Sequence, residues 1–470
     1  MYIERELKLE LPATALERLS RLAPSRRSLA SVYFDTPERA LLRAGASLRL
    51  RRDGRKWLQT LKTDTEPQAG LATRAEWEMP VARKALALEA FPGEEIKTAT
   101  GLDLARLRRH LRPVFETRFV RRSGLVALDD GASAEMAVDR GAILAGRRRE
   151  PISEVELELK AGAPAALLEF ATELALPLAF ESKAERGYRL AAGGVLAPRK
   201  WRAPQVSQSA SAQEAFAAVF SAALAQAGAN ARGVRESEDP EFLHQMRVGL
   251  RRMRSALRAF AKVIDKPKGL LRSLKRLSPA LGEARDWDVF AENMRTLTRE
   301  QALLKRAQAK RALARQAARA VVSSPEFNVF LLRALRWVHG APVKKKPKAF
   351  RAYAESALSR LHRKTAKNAD WRDAERRHRL RIRVKRLRYA CEFFAPCFGG
   401  VQPYLSRLQA LQETLGQLND IAVARKLLKT LGDSPGVAAK LDARERRLIA
   451  RLKRGWNAFA AQRAFWKRKR

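Results

Sequence analysis

The first ten residues alternate with period two. Glu4, Glu6 and Lys8 fall on one side, Ile3, Leu7 and Leu9 on the other, and only Arg5 is out of type. Successive side chains of a strand point to opposite faces, so two carboxylates and an ammonium share one face while the apolar set packs. The pattern returns far downstream, where Glu154, Glu156, Glu158 and Lys160 alternate with Val155, Leu157 and Leu159. Between these, Arg49 and Arg51 alternate with Leu48 and Leu50, Lys62 follows Thr60 by two, and Arg74, Glu76 and Glu78 form a further set. Strands are predicted at 30–35, 46–52, 56–63, 73–81, 114–122, 124–129, 134–139 and 152–160, with Asp53-Gly54 as a tight hairpin. Short helices are predicted at 13–22, 100–110 and 165–174. Short strands joined by hairpins, charged on one face, argue for a closed antiparallel β-barrel over residues 1–195.

Residues 192–211 carry Gly, Pro and Ser without a sustained period, and 196–211 read as a linker. From 212 to 470 the period becomes helical, and a repeat is visible: His244 and His378 open similar segments, Leu281-Gly282 recurs as Leu415-Gly416 and Asp286 as Asp420, all 134 residues apart. This predicts an all-helical bundle of two related halves, 212–340 and 345–470, about a pseudo-twofold axis, with a hinge at 340–348. In the first half His244, Arg247, Arg251, Arg254 and Arg258 recur by three and four, a basic stripe beside an apolar one. The second half repeats it with His378, Arg381, Lys385 and Arg388.

Charge sharpens the division. The chain of 470 residues carries a net charge of +44, but the first 200 residues hold 35 Lys+Arg against 28 Asp+Glu and the remainder 59 against 22. The second half therefore repels itself unless it meets a polyanion, with nucleic acid, an anionic membrane surface and inorganic polyphosphate as candidates. The two cysteines, Cys391 and Cys397, have no second pair, which argues against a disulfide framework or a zinc site. No apolar run approaches twenty residues, so no membrane span is expected and the cytoplasm is the expected compartment, with association to polyphosphate granules open.

Carboxylates for a hard divalent cation together with Arg and Lys for phosphate oxygens point to a metal–oligophosphate site. Any one strand is equally well read as an ordinary solvated face; four together are not. In the helical half, zinc ligation by the histidines lacks a completing Cys or carboxylate pattern. They read as donors to phosphate oxygens or as helix-end partners, and Asp286, Asp288 and Asp420 as ion-pair partners of the arginine rows.

Glu4-x-Glu6-x-Lys8, Tyr33-Phe34-Asp35-Thr36, Leu48-Arg49-Leu50-Arg51, Thr60-Leu61-Lys62, Glu135 to Asp139 with Gly141, Glu154-x-Glu156-x-Glu158-x-Lys160 and Ser182-Lys183-Ala184-x-Arg186-Gly187-Tyr188 together resemble the CYTH domain of the triphosphate tunnel metalloenzymes. The resemblance implies a tunnel, open at both ends, that hydrolyses inorganic triphosphate with Mg2+ or Mn2+. It implies metal ligation by Glu4, Glu6, Asp139, Glu154, Glu156 and Glu158. It further implies phosphate clamping by Arg49, Arg51, Lys62, Arg74, Arg118 and Lys183, with Lys8 positioning substrate or water. Glu10 departs from relatives that carry a second lysine there. The two His-x-x-Arg helices and the Leu-Gly-x-x-x-Asp segments resemble the CHAD domain over 205–470, which implies that the basic stripes bind inorganic polyphosphate. The expected function is a metal-dependent triphosphatase with a polyphosphate-binding module; the alternative is a non-catalytic polyanion-binding or granule-targeting protein. Nonspecific, salt-sensitive nucleic-acid binding is also expected, and adenylate cyclase or thiamine-triphosphatase activity ranks lower for want of a readable adenine site.

Overall fold

The computed structural model describes residues 2–63, 71–207, 209–265, 267–340, 348–367, 370–432 and 434–467. The alternating segments form β1 (Tyr2–Glu10), β2 (Ser25–Asp35), β3 (Ala46–Asp53), β4 (Lys56–Thr63), β5 (Leu71–Val81), β6 (Arg112–Ala127), β7 (Ser133–Ala145) and β8 (Arg148–Ala161). They close into an antiparallel barrel in the order β1-β5-β4-β3-β2-β6-β7-β8, and β8 pairs back onto β1. Closure removes the sheet edges and gives every strand an inner face.

Six helices lie around the strands: α1 (Ala13–Arg21), α2 (Ala40–Arg43), α3 (Gly93–Thr100), α4 (Leu104–Leu107), α5 (Pro164–Leu174) and α6 (Lys183–Ala191). The helix predicted at 100–110 is divided between α3 and α4, because Gly101 turns the chain with φ 72 and the Asp103 side chain caps α4. Ser182 and Glu185 form a capping box that starts α6. One core collects Leu41, Leu48, Leu61, Trp77, Phe91 and Ile96. A second joins Tyr33, Phe115, Phe119, Ile143 and Ile152 to Tyr188 and Leu190 of α6. The strand residues of this second core share faces with Asp139 and Glu154, so the inner wall turns apolar where α6 lies.

Two predicted strands, 114–122 and 124–129, are one strand, β6. Gly124 reads as a break but serves a close approach, since a Cβ there would come within 2.5 Å of the Leu22 carbonyl oxygen.

The helical part contains α7 (Ala212–Ala229), α8 (Ala231–Glu236), α9 (Pro240–Ala259), α10 (Lys268–Leu297), α11 (Gln301–Ser323), α12 (Pro325–His339), α13 (Phe350–Ala366), α14 (Ala374–Phe394), α15 (Gln402–Leu431) and α16 (Pro435–Ala460). The repeat is visible in the element bounds. The starts of α9 and α14, of α10 and α15, and of α11 and α16 are each 134 residues apart. Equivalent helices meet: α9 packs on α14 and α10 on α15.

The chain forms two compact units, Met1–Arg199 with Pro325–Gly340, and Lys200–Ser324 with Ala341–Arg470. Placing 325–340 in the first helical half therefore misses where α12 packs. It belongs with the barrel unit and lies on α5, with Asn328 donating to the Ala175 carbonyl at 3.4 Å and Arg336 paired with Glu169. Most of the hinge expected at 340–348 lies outside the described residues. The linker is anchored on the helical unit, where Trp201 lies 4.5 Å from the Arg252 guanidinium.

Gly141 leaves no room for a side chain between β6 and β7, because a Cβ would sit 2.1 Å from the Arg118 carbonyl oxygen. Gly141→Val is expected to destabilise the barrel unit by about 3 kcal/mol or more through separation of β6 from β7. Urea unfolding followed by far-UV circular dichroism checks this.

Candidate functional site

Strict alternation on β1 puts Glu4, Glu6 and Lys8 on the inner face, with 7%, 2% and 7% exposure. Neighbouring strands bring their partners. Lys62 of β4 lies 2.6 Å from Glu4 and 3.0 Å from Glu76 of β5, and Arg74 of β5 donates to Glu6 at 2.9 Å. Lys8 reaches Glu6 at 2.9 Å and also binds Glu156 of β8, joining this group to a second one.

The second group follows from the register of β6, β7 and β8, which sets Arg121 opposite Asp139 and Asp139 opposite Glu154. Carboxylate oxygens of Asp139, Glu154 and Glu156 lie within 4.8 Å of one another. Lys183, at the first turn of α6, lies 2.7 Å from Asp139 and 3.0 Å from Glu156 and is also bonded to Glu154. Arg121 grips Asp139 with two hydrogen bonds of 2.8 and 2.6 Å and binds Glu156 as well.

Burial would push these carboxyls up, but the cations outweigh it. Lys8 with Arg74 and Lys62 bring Glu6 down to about 2, Lys183 with Arg121 lowers Asp139, and Lys183, Lys8 and Arg121 hold Glu156 well below its usual value. Glu4 goes the other way, raised by burial and by Glu6. Three carboxylates close together, Asp139 and Glu154 buried and Glu156 partly buried, with Asp139 and Glu156 held ionised, fit a hard divalent cation with oxygen ligands.

Of the expected metal ligands, the fold gathers Asp139, Glu154 and Glu156. Glu4 and Glu6 face Lys62 and Arg74, and Glu158 sits with Lys160 at 2.7 Å, which also reaches Glu135. Of the expected phosphate clamps, Arg118 is misplaced: its side chain is 65% exposed and pairs with Glu116, because the inner face of β6 runs through Phe115, Thr117, Phe119 and Arg121. Arg121 is the lumen cation that alternation alone does not single out, and its register opposite Asp139 is the signal that identifies it. Arg186, bonded to Glu150 and Glu154 at 2.9 and 3.0 Å, braces the acidic group from α6, a role its place in the Ser182–Tyr188 motif does not disclose.

Arg49 and Arg51 differ from the paired cations. Arg49 keeps 3.7 Å from both Glu76 and Glu78, and its Nε has no hydrogen-bond partner. Arg51 forms no ion pair among the described residues; its Nε only approaches Ser31 Oγ at 3.4 Å. Burial, with Arg49 and Arg121 nearby, pulls Arg51 down to about 10. The same two arginines, Arg49 and Arg51, offset the burial of Tyr33 and lower its phenol.

In the helical unit, α9 and α14 bring cations together with little compensation. Burial, then Arg381 and Arg251, lower Lys385 to about 7, and burial with Arg251 lowers Arg247 to about 10. Asp286 and Asp420 stand nearby, both raised by burial, and influence Arg247 and Arg381 without forming an ion pair among the described residues. Gly282 leaves room for Arg247, whose Nη1 would be 3.1 Å from a Cβ there. Burial and Arg285 take His244 down to about 4, so it is a neutral donor at neutral pH. His378 is exposed, with Nδ1 3.1 Å from Asn419 Oδ1, and Arg258 is exposed. Two residues of the stripes are tied elsewhere. Arg254 donates to the Leu274 carbonyl and Ser278, and Arg388 pairs with Glu392 at 2.9 Å. Asp288 takes the expected ion-pair role, 2.7 Å from Arg311.

Comparison with known proteins defines the class to which this geometry belongs. Residues 2–188 match the CYTH domain and residues 218–429 the CHAD domain. The chain is a CYTH domain fused to a CHAD domain. It is 30% identical over 233 residues to a Haemophilus influenzae protein named inorganic triphosphatase, a match spanning 47% of this chain and 63% of that relative. Among solved structures, the CHAD domain from Ricinus communis is 31% identical, covering 57% of this chain and 98% of its own with a TM-score of 0.49. A Hippeastrum protein described as a candidate adenylyl cyclase with a dominant triphosphatase activity is 21% identical, covering 41% of this chain and 97% of its own with a TM-score of 0.30. Among the described residues no helix is long and apolar enough to cross a membrane.

Removing the Lys183 ammonium takes away the one cation shared by Asp139, Glu154 and Glu156 among the described residues and leaves them underneutralised, so Lys183→Met is expected to destabilise the barrel unit by about 3–5 kcal/mol. Mg2+ should restore more stability to this variant than to the parent, because a cation among Asp139, Glu154 and Glu156 takes over the neutralisation. Thermal unfolding with and without Mg2+ reads both; equal shifts in the two proteins would exclude a cation site there.

Proposed function

We propose that the barrel lumen is a metal-assisted triphosphatase centre acting on inorganic triphosphate, and that the groove between α9 and α14 binds inorganic polyphosphate. The observation that carries the reading is Arg51, a lumen guanidinium without an ion-pair partner among the described residues, beside Arg49 and in a cavity that also clusters three carboxylates. The CYTH match and the name of the Haemophilus relative support the activity, and the CHAD match supports the groove's ligand.

Asp139, Glu154 and Glu156 would hold Mg2+ or Mn2+, with Glu4 and Glu6, linked to them through Lys8, as ligands for a second ion. A bound divalent cation supplies charge neutralisation on phosphate oxygens and a more acidic coordinated water. The reaction is attack of water on a terminal phosphorus with cleavage of its bond to the bridging oxygen, giving orthophosphate and pyrophosphate. Charge spreads over the equatorial oxygens in the transition state, so fixed donors aimed at them do most of the work. Arg49 and Arg51 have hydrogen bonds to give without breaking a close ion pair, whereas Lys62, Arg74 and Lys183 give theirs by exchanging carboxylate for phosphate oxygens. Lys8, between Glu6 and Glu156, holds the two acidic groups together and positions what enters between them.

Phosphate release from tripolyphosphate, assayed with Mg2+ or Mn2+ against a chelated control and beside ATP, thiamine triphosphate and long polyphosphate, tests the activity and its substrate. Arg51→Ala is expected to lower kcat/KM on tripolyphosphate about a hundredfold with the fold retained. Unchanged turnover would remove the lumen assignment. Absent phosphate release alongside intact polyphosphate binding would leave the polyanion-binding reading alone.

Proton linkage gives the groove its own test. Lys385 is lowered to about 7, and a polyanion beside it raises that value, so binding takes up a proton above about pH 7. Affinity for polyphosphate is therefore expected to fall as pH rises from about 7 to about 9, and Lys385→Arg should flatten that profile. Calorimetric titration at constant ionic strength measures both.

A further inference from the structure

A cavity of 330 Å³ opens in the barrel unit at the end of β2, beside the β7–β8 hairpin and the end of α6. Its lining combines Arg39, Arg112 and Arg148 with Pro37, Pro113 and Val114; Arg112 and Arg148 reach solvent, and Arg39 and Val114 are partly buried. None of the three arginines forms an ion pair among the described residues. The carboxylate in the lining, Asp35, is already engaged: Oδ1 accepts from the backbone of Thr36 at 2.7 Å and Leu41 at 2.9 Å, and Oδ2 from Leu42 at 3.1 Å. It is fully buried and turned to the start of α2, so it leaves the arginines uncompensated by any hydrogen-bonded pairing.

The arginines are partly held in place. Arg112 donates through Nη1 to the carbonyls of Arg109 and Leu111 at 2.9 and 2.8 Å, which leaves its Nε and Nη2 for a ligand. Arg39 sits on left-handed backbone, φ 60, with its guanidinium 5.7 Å from the centre of the Tyr188 ring.

From this juxtaposition we propose that the cavity is a binding site, separate from the lumen and assigned by nothing else in the chain, for a small phosphate monoester with an apolar body. Guanidinium forks match the oxygens of a phosphate dianion. A lone orthophosphate would leave the Pro37, Pro113 and Val114 part of the lining uncovered, whereas a volume of this size suits a ligand with an organic part. The site stands independently of the triphosphatase reading.

The Val114 methyl groups report the cavity locally, which matters because lumen and groove also attract phosphates. With the full chain methyl-labelled on valine, phenyl phosphate is expected to shift the Val114 signals saturably, with orthophosphate at least tenfold weaker and phenol without effect. The shifts should persist in Arg51→Ala, which alters the lumen, and vanish in the double variant Arg112→Ala, Arg148→Ala, whose folding the remaining methyl signals verify. Unmoved Val114 signals, or shifts that survive the double variant, overturn the site. Orthophosphate binding as tightly as phenyl phosphate overturns the monoester assignment.

Discussion

Charge compensation inside a closed sheet is the constraint on which the barrel depends. Once eight strands close, period-two residues from distant parts of the chain have one cavity to share, and each charge there has left bulk water. Glu6 at 2% exposure and Asp139 at 0% are tolerable as anions only because Lys8, Arg74, Arg121 and Lys183 stand within bonding distance. Those contacts in turn fix the register: a slip of one residue on β8 would turn Glu154 and Glu156 outward and bury Val155 and Leu157 against the cations. Placement of charge and placement of strands are the same constraint seen from two sides.

The helical unit meets the opposite condition. Apart from Arg388, which pairs with Glu392, the stripe cations are brought together by the packing of α9 on α14 without an ion pair among the described residues, and the result is visible in Lys385, which burial and its cationic neighbours lower to about 7. The apolar faces carry the cost of this crowding. Met246, Met253, Leu380, Val384 and Leu387 are fully buried, so hydrophobic packing holds the stripes together where charge alone would part them. Duplication makes the arrangement nearly symmetric, with α9 and α10 repeated as α14 and α15 at a constant spacing.

Alternation and repetition make much of this legible in the sequence itself. Glu4, Glu6, Lys8, Glu154 and Glu156 alternate with Leu7, Leu9, Val155, Leu157 and Leu159, with Arg5 the exception on β1, so their direction is decided locally. β6 is different. It is a sixteen-residue strand with polar residues on both faces, Glu116 and Arg118 outside and Thr117 and Arg121 inside, and only its register against β7 decides which arginine enters the lumen. The metal candidates share this limit: parity shows that Glu158 faces inward with Glu154 and Glu156, but Lys160 holds it apart from the cluster. For α12, helical periodicity predicts a buried face and does not say against what; its Phe327, Phe330 and Leu331 meet the barrel unit rather than the helices that flank it in the chain. The 134-residue repeat, by contrast, needs no tertiary information, because helix bounds follow the chain itself.

The two units thus pose different problems to an incoming polyanion. In the lumen most cations already have carboxylates, so a ligand must offer enough charge per oxygen to displace Glu4 from Lys62 or Glu6 from Arg74, and what it gains is a difference between two strong interactions. On the proposed reading this would favour short, densely charged phosphates over carboxylates or monoanions, and would make Arg51, which has no ion pair to break among the described residues, the first contact. In the groove there is little to displace, and a bound polyanion relieves repulsion among Arg247, Arg251, Arg381 and Lys385. Its gain therefore grows with the number of phosphates laid along the stripes and shrinks as salt screens them. On the proposed reading, charge density would decide what enters the lumen and length what lies along the stripes, and both would follow from whether the cations were given partners when the chain folded.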